Sequence, residues 1–107
     1  MSTENDVAIK VIVELHAKPG RRTELKNLLE SVVAKYESVQ PGFLGSLQYE
    51  VIDNPDILVE IADWSSAEVR AAAMQLAMQL AMSDGAYAPL EDLLAAPFRA
   101  TVIRQLT

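Results

Sequence analysis

The run Leu58-Val59-Glu60-Ile61-Ala62-Asp63-Trp64-Ser65-Ser66 constrains the fold more than any other stretch of the chain. Successive side chains of a strand point to opposite faces, so Leu58, Glu60, Ala62 and Trp64 share one face and Ile57, Val59, Ile61 and Asp63 the other. Ser65 followed by Glu68 then reads as a Ser-x-x-Glu capping box, the start of a helix. A strand must therefore end here and a helix begin, with the only tryptophan at the joint. Glu60 sits on an otherwise apolar face. A carboxylate there is costly to bury unless that face lines something.

The rest of the chain supplies the neighbours. Val7 to His16 alternates as a strand, and Lys18-Pro19-Gly20 ends it because proline cannot donate to a ladder. Leu25, Leu28, Leu29, Val32, Tyr36 and Val39 recur at helical steps and predict a helix over Arg22 to Val39, stopped by Pro41-Gly42. Lys26, Asn27, Glu30, Lys35 and Glu37 fall off that stripe and should meet water. Phe43 to Ile52 reads as a strand with Phe43, Gly45, Leu47, Tyr49 and Val51 on one face. The turn Asp53-Asn54-Pro55-Asp56 makes a hairpin of it with the strand from Ile57 to Trp64. The second long helix, about Ser66 to Met82, carries one stripe of Val69, Leu76 and Leu80 and a nearly opposite one of Met74, Met78 and Met82. A helix apolar on two sides must be covered on two sides. One stripe can pack on the sheet, and the other needs a subunit contact, the next helix or a ligand cavity. A short helix around Pro89, Leu90, Leu93 and Leu94 and a last strand from Phe98 to Leu106 complete the chain.

The order strand, helix, strand, strand, helix, strand predicts an α+β fold: a ferredoxin-like βαββαβ sandwich, an antiparallel sheet with helices on one face. Residues 7–107 read as one domain and the polar residues 1–6 as a loose end. The strands carry apolar residues on both faces, so a homodimer stacked sheet to sheet is expected.

Composition excludes several classes. The net charge of −6 and the lack of a basic cluster argue against nucleic acid and anionic membranes. There are no cysteines, which removes disulfides and thiolate chemistry and suits a reducing cytoplasm. No secretion signal or stretch of about 18 apolar residues appears, so a soluble cytoplasmic protein is expected. The sequence also lacks a Gly-rich phosphate loop, a Ser-His-Asp set and any metal-ligand spacing. No cofactor or metal is expected.

From Val7 to Leu106 the chain resembles the antibiotic biosynthesis monooxygenase (ABM) domain family. The resemblance is carried by Lys18-Pro19-Gly20, Pro41-Gly42-Phe43-Leu44, Asp63-Trp64-Ser65 at the joint, and Pro97-Phe98 before the last strand. It implies a dimeric α/β barrel with a cavity between sheet and helices. It further implies small oxygenases that convert aromatic polyketide phenols or anthrones to quinones without metal or flavin. Two positions depart from the quinone-forming pattern: Glu60 stands where those members carry a neutral amide, and Arg70 where they carry an aromatic. The haem-degrading branch places a histidine on helix two, where this chain has Ala73-Met74. The only histidine, His16, is on another element.

These readings name the candidate site. Glu60 is the proton acceptor, since a carboxyl in an apolar cavity gains basicity, and Trp64 is the stacking wall. Arg70 would steady a phenolate or carboxylate. Met74, Tyr49 and His16 are candidates for substrate contact. The substrate class is a small hydrophobic or aromatic molecule. Two rivals stand beside the oxygenase: a non-catalytic binding or assembly protein, and a cyclase or isomerase using Glu60 for proton transfer alone.

Overall fold

The computed structural model describes residues 7–106. The expected loose end at residues 1–6 lies outside them. Strand β1 (Ile9–His16) leads to helix α1 (Arg22–Val32), which continues through one π-helical turn, Val33–Glu37. Strands β2 (Phe43–Val51) and β3 (Asn54–Trp64) form the hairpin. Helix α2 (Ala67–Ser83), the short helix α3 (Tyr87–Asp92) and strand β4 (Arg99–Ile103) follow. The sheet order is β2-β3-β1-β4 with every neighbouring pair antiparallel, and the helices cover one face. This is the expected ferredoxin-like α+β arrangement.

Register fixes what each face presents. Ile9 pairs with Trp64, Val11 with Ala62, Val13 with Glu60 and Leu15 with Leu58, so the inner faces of the two central strands run together. Val102 and Ala100 of β4 continue the row across Val11 and Val13. The packed interior has two ends. Leu15, Leu25, Leu29, Val33, Leu58, Leu90 and Leu93 fill one, while Ile9, Val11, Ala62, Trp64 and Ala73 form the other.

Four local readings are corrected. The cap of α2 is Ser66, whose Oγ accepts from the Val69 amide at 3.1 Å, not Ser65. Ser65 instead donates its amide to the Gly42 carbonyl at 2.9 Å. That approach requires glycine, because Gly42 has φ +89° and a Cβ there would collide with Val69 Cγ1. In β2 a register shift between Phe43 and Gly45 inserts one residue, so Phe43 lies opposite Trp64 on the inner face while Leu47 and Tyr49 lie opposite Ile61 and Val59 on the outer face. The strict alternation expected for this strand therefore breaks at its start.

The first long helix does not run as one α-helix to Val39. From Val33 it widens, with the Ser38 amide bonding the Val33 carbonyl at 2.8 Å, five residues back. Finally, α2 meets the rest of the fold through neither expected stripe. Ala73, Ala77 and Ala81 are its buried residues, and they lie on the helix circumference between the leucine and methionine rows. Small side chains let the backbone come close, which throws the longer rows to either flank. Tyr36 donates its hydroxyl to Asp84 Oδ2 at 2.6 Å, tying the π-helical turn to the end of α2.

Candidate functional site

A cavity of about 900 Å³ opens between the inner face of the sheet and the helices. Val11, Val13, Glu60, Ala62 and Trp64 form its floor, with Met74, Met78 and Met82 of α2 on one wall and Tyr87 and Leu90 of α3 on another. The floor is hollow for a reason legible in the chain. Ala62 separates Glu60 from Trp64 on one strand face, and its small side chain leaves space that a larger residue would fill.

Glu60 is only 4% exposed, and its Oε2 has no hydrogen-bond partner. Burial first, and then the negative charge of Glu37, push its pKa up to about 7 from an ordinary 4.5. Hydrogen bonding from Gln48 and Ser46, on the paired strand β2, pulls it partly back. The Gln48 Oε1 is likewise buried and unpartnered. Two unsatisfied acceptors on facing residues suit a shared proton or a ligand that donates. A carboxyl poised near neutrality can accept a proton from a weak acid and return it.

Trp64 is 1% exposed and serves both as core and as cavity wall. Phe43 meets it edge to face, with centroids 5.1 Å apart and planes at 80°, which fixes the indole orientation. Arg70, in the second turn of α2, and Met74, one turn further on, line the same space. The structure brings Glu60, Trp64, Arg70 and Met74 together at this one cavity.

Tyr49 and His16 do not join them. Tyr49 pairs with Val59 on the outer face, where the bulge in β2 has turned it. His16 ends β1 opposite Ile57, is largely exposed, and lies 2.8 Å from Glu14 Oε2 through its Nε2. The period-2 rule itself puts His16 on the face away from Glu60.

Three polar lining residues, Glu37, Tyr87 and Glu91, were missed. Glu37, expected in water, reaches the cavity from the last position of the π-helical turn. Burial raises its pKa and Arg70 pulls it down again. Tyr87, at the start of α3, is held above its usual range by burial, then by the charge of Glu37 and by Tyr36. A regular 3.6-residue period hides Glu37, and nothing in the local pattern at Tyr87 signals a cavity.

Among the described residues, no three His, Cys, Asp or Glu side chains group as a metal site, and no helix is long and apolar enough to cross a membrane. The geometry defines a ferredoxin-like α+β protein with a predominantly apolar cavity, one poised carboxyl and one arginine. The family model described as antibiotic biosynthesis monooxygenase matches residues 8–84, and the chain belongs to that family.

Solved structures agree on the fold. A variant of SnoaB, a cofactor-independent oxygenase from Streptomyces nogalater, superposes with a TM-score of 0.75 at 16% identity, over 94% of each chain. Rv0793 from Mycobacterium tuberculosis gives 0.70 at 22% identity, over 94% of this chain and 96% of that one. A conserved protein from Methanosarcina mazei Go1 gives 0.73 at 18% identity, over 96% and 97% respectively. Among curated proteins, none matches the sequence.

Proposed function

We propose that this protein is a cofactor-independent monooxygenase of the quinone-forming type, acting on a planar aromatic substrate such as a polyketide phenol or anthrone. The single observation that carries the reading is Glu60: a buried carboxyl with a free oxygen, poised near neutrality beside Trp64 in an apolar cavity. Glu60 takes the acidic proton of the substrate, and the resulting carbanion or phenolate passes an electron to dioxygen. For an anthrone, the CH₂ carbon becomes a carbonyl. It keeps one oxygen atom, and the other leaves as water with the two hydrogens. Trp64 stacks on the ring system and Arg70 faces the developing oxyanion. Met74 moulds to the ligand edge, a role its flexible thioether suits.

Tests are direct. Oxygen uptake with an anthrone or naphthol should be lost in Glu60→Gln, by the 10²–10⁴-fold typical of a removed acid–base group, and weakened in Trp64→Phe. Turnover unchanged in both variants would sink the assignment. A second reading, proton transfer alone in a cyclase or isomerase, is favoured by the presence of further carboxyls, Glu37 and Glu91, in the lining beside Glu60. It predicts turnover without oxygen. The binding or assembly alternative is disfavoured by the open space beside Trp64.

The working unit is proposed to be a homodimer. On the outer sheet face Leu47 is 66% exposed with Tyr49 exposed on the same edge strand, and Ile103 is exposed on the opposite edge strand, β4. A second copy would cover this face. The cysteine-free composition accords with a cytoplasmic setting.

A further inference from the structure

Glu60 has a strand on either side, and the two offer it different neighbours. On β1 the residue directly opposite is Val13, whose side chain has no polar atom. Along β3 the neighbours on the same face are Leu58 and Ala62. On β2 the residue directly opposite is Gln48, with Ser46 beside it opposite Ala62. Residues paired in this way hold their Cβ atoms about 4.5–5.5 Å apart, within reach of an amide. Gln48 faces Glu60 because of the bulge. Under strict alternation from Phe43, Leu47 and Tyr49 would point inward and Gln48 outward. The inserted residue reverses that parity, and Gly45 permits the insertion by holding φ +127°, a conformation that residues with side chains rarely adopt. Bulges occur beside active sites, where they re-aim a side chain.

Gln48 approaches Glu60 from the side away from the cavity. It lines, with Ser46, a separate groove of about 400 Å³ between α1 and β2, and neither residue lines the cavity itself. We propose that Gln48 is the positioning residue of Glu60, an amide that the bulge turns inward to hold the carboxyl in both of its protonation states. An amide suits this task because it carries donors and an acceptor on one group. Its N–H donates to the carboxylate, and its carbonyl accepts from the acid once Glu60 has taken a proton. That proton stays on Glu60, and no covalent bond of Gln48 is made or broken. Among the described residues, the two buried side-chain oxygens without a partner belong to this pair, Glu60 Oε2 and Gln48 Oε1. They supply the acceptors that an added proton needs. Hydrogen bonds to an ionised group are the stronger ones, so the amide favours the carboxylate, the form in which Glu60 is a base. The inference rests on Glu60 being the base of the proposed reaction.

The first test uses the ligand-free protein. The carboxyl carbons of ¹³C-labelled glutamates are followed by NMR across pH, with the Glu60 signal assigned by its loss in Glu60→Gln. Glu37, Arg70, Tyr87 and Glu91 line the cavity from the other elements, Lys26 and Glu30 line the groove, and all stay in place in each Gln48 variant. In Gln48→Met the Glu60 midpoint should rise by about 0.5–1 unit, a three- to tenfold gain in proton affinity. Gln48→Leu, different in shape and equally without an amide, should give the same midpoint. An unmoved midpoint in a natively folded variant, or midpoints that follow side-chain shape, would overturn the proposal. The second test is turnover of an anthrone. Gln48→Met should lower kcat about tenfold or more and leave KM nearly unchanged, since Gln48 lies outside the cavity lining. A raised KM with kcat intact would make Gln48 a binding residue and overturn its positioning role. The titration needs no oxygen uptake, so the role of Gln48 and the oxygenase reading can fail separately.

Discussion

The two long helices lie on the same sheet face and meet the interior by opposite means. Helix α1 buries Leu25, Leu29 and Val32 against Leu15, Leu58 and Tyr36. Helix α2 buries only Ala73, Ala77 and Ala81, leaving its methionines toward the cavity and Leu76 and Leu80 nearly half exposed. A helix held by alanines gains little from burial, at about 25 cal/mol per Å² of apolar area. Its support is local: a run of Ala, Met, Gln and Leu with high helix propensity and a serine cap. Helix α1 thus anchors the fold, and α2 is a wall set at a distance, which is why a cavity exists under it.

The sharpest way to break that contrast is to give α1 the packing of α2. Leu25 is wholly buried in the cluster with Leu15 and Leu58. Leu25→Ala should cost about 2–5 kcal/mol, the range for large cavities left in a core, read as a lower midpoint in chemical unfolding. A loss under about 1 kcal/mol would mean that α1 is no anchor.

How far each helix was legible in the sequence follows from the same contrast. The leucine stripe of α1 is a single strong period, and the sequence places it correctly. In α2 the large residues fall in two rows, and a search for large apolar side chains passes over the alanine row between them. The shared face of Glu60 and Trp64 was legible because β3 keeps strict alternation through that stretch. Tyr49 was misplaced because one inserted residue near Gly45 reverses the parity of β2, and Glu37 because one wide turn resets the phase of its helix. Both errors come from a local insertion that leaves composition untouched.

The carboxyl under α2 gives the second test. Glu60 has an ordinary pKa of 4.5 in the unfolded chain and about 7 in the folded one. Between these values the folded state holds more proton than the unfolded, so stability falls as pH rises through that window. Glu60 contributes no penalty below about pH 4.5 and its full penalty above about pH 7, on the order of 3 kcal/mol. Glu60→Gln should therefore stabilise the protein at pH 8 and leave it little changed at pH 4, while removing activity. Urea midpoints at the two pH values check this. Equal effects at both would mean that the carboxyl is not desolvated when folded.

The smallest expected effect comes from giving α2 the packing of α1. Ala77 is 1% exposed and packs against Val32 and Tyr36. Ala77→Leu adds carbon atoms where the two helices touch, and overpacking of this kind costs about 1–3 kcal/mol. The added volume should push α2 outward, and two readouts should move together. The unfolding midpoint should drop, and Trp64 fluorescence should change as the space above the indole widens. If Ala77→Leu instead stabilises the protein, the gap between the helices is slack in a tight-looking seam, and α2 stands off the sheet for want of filling. A loss with altered Trp64 emission would show that the alanine row sets the height of the cavity roof.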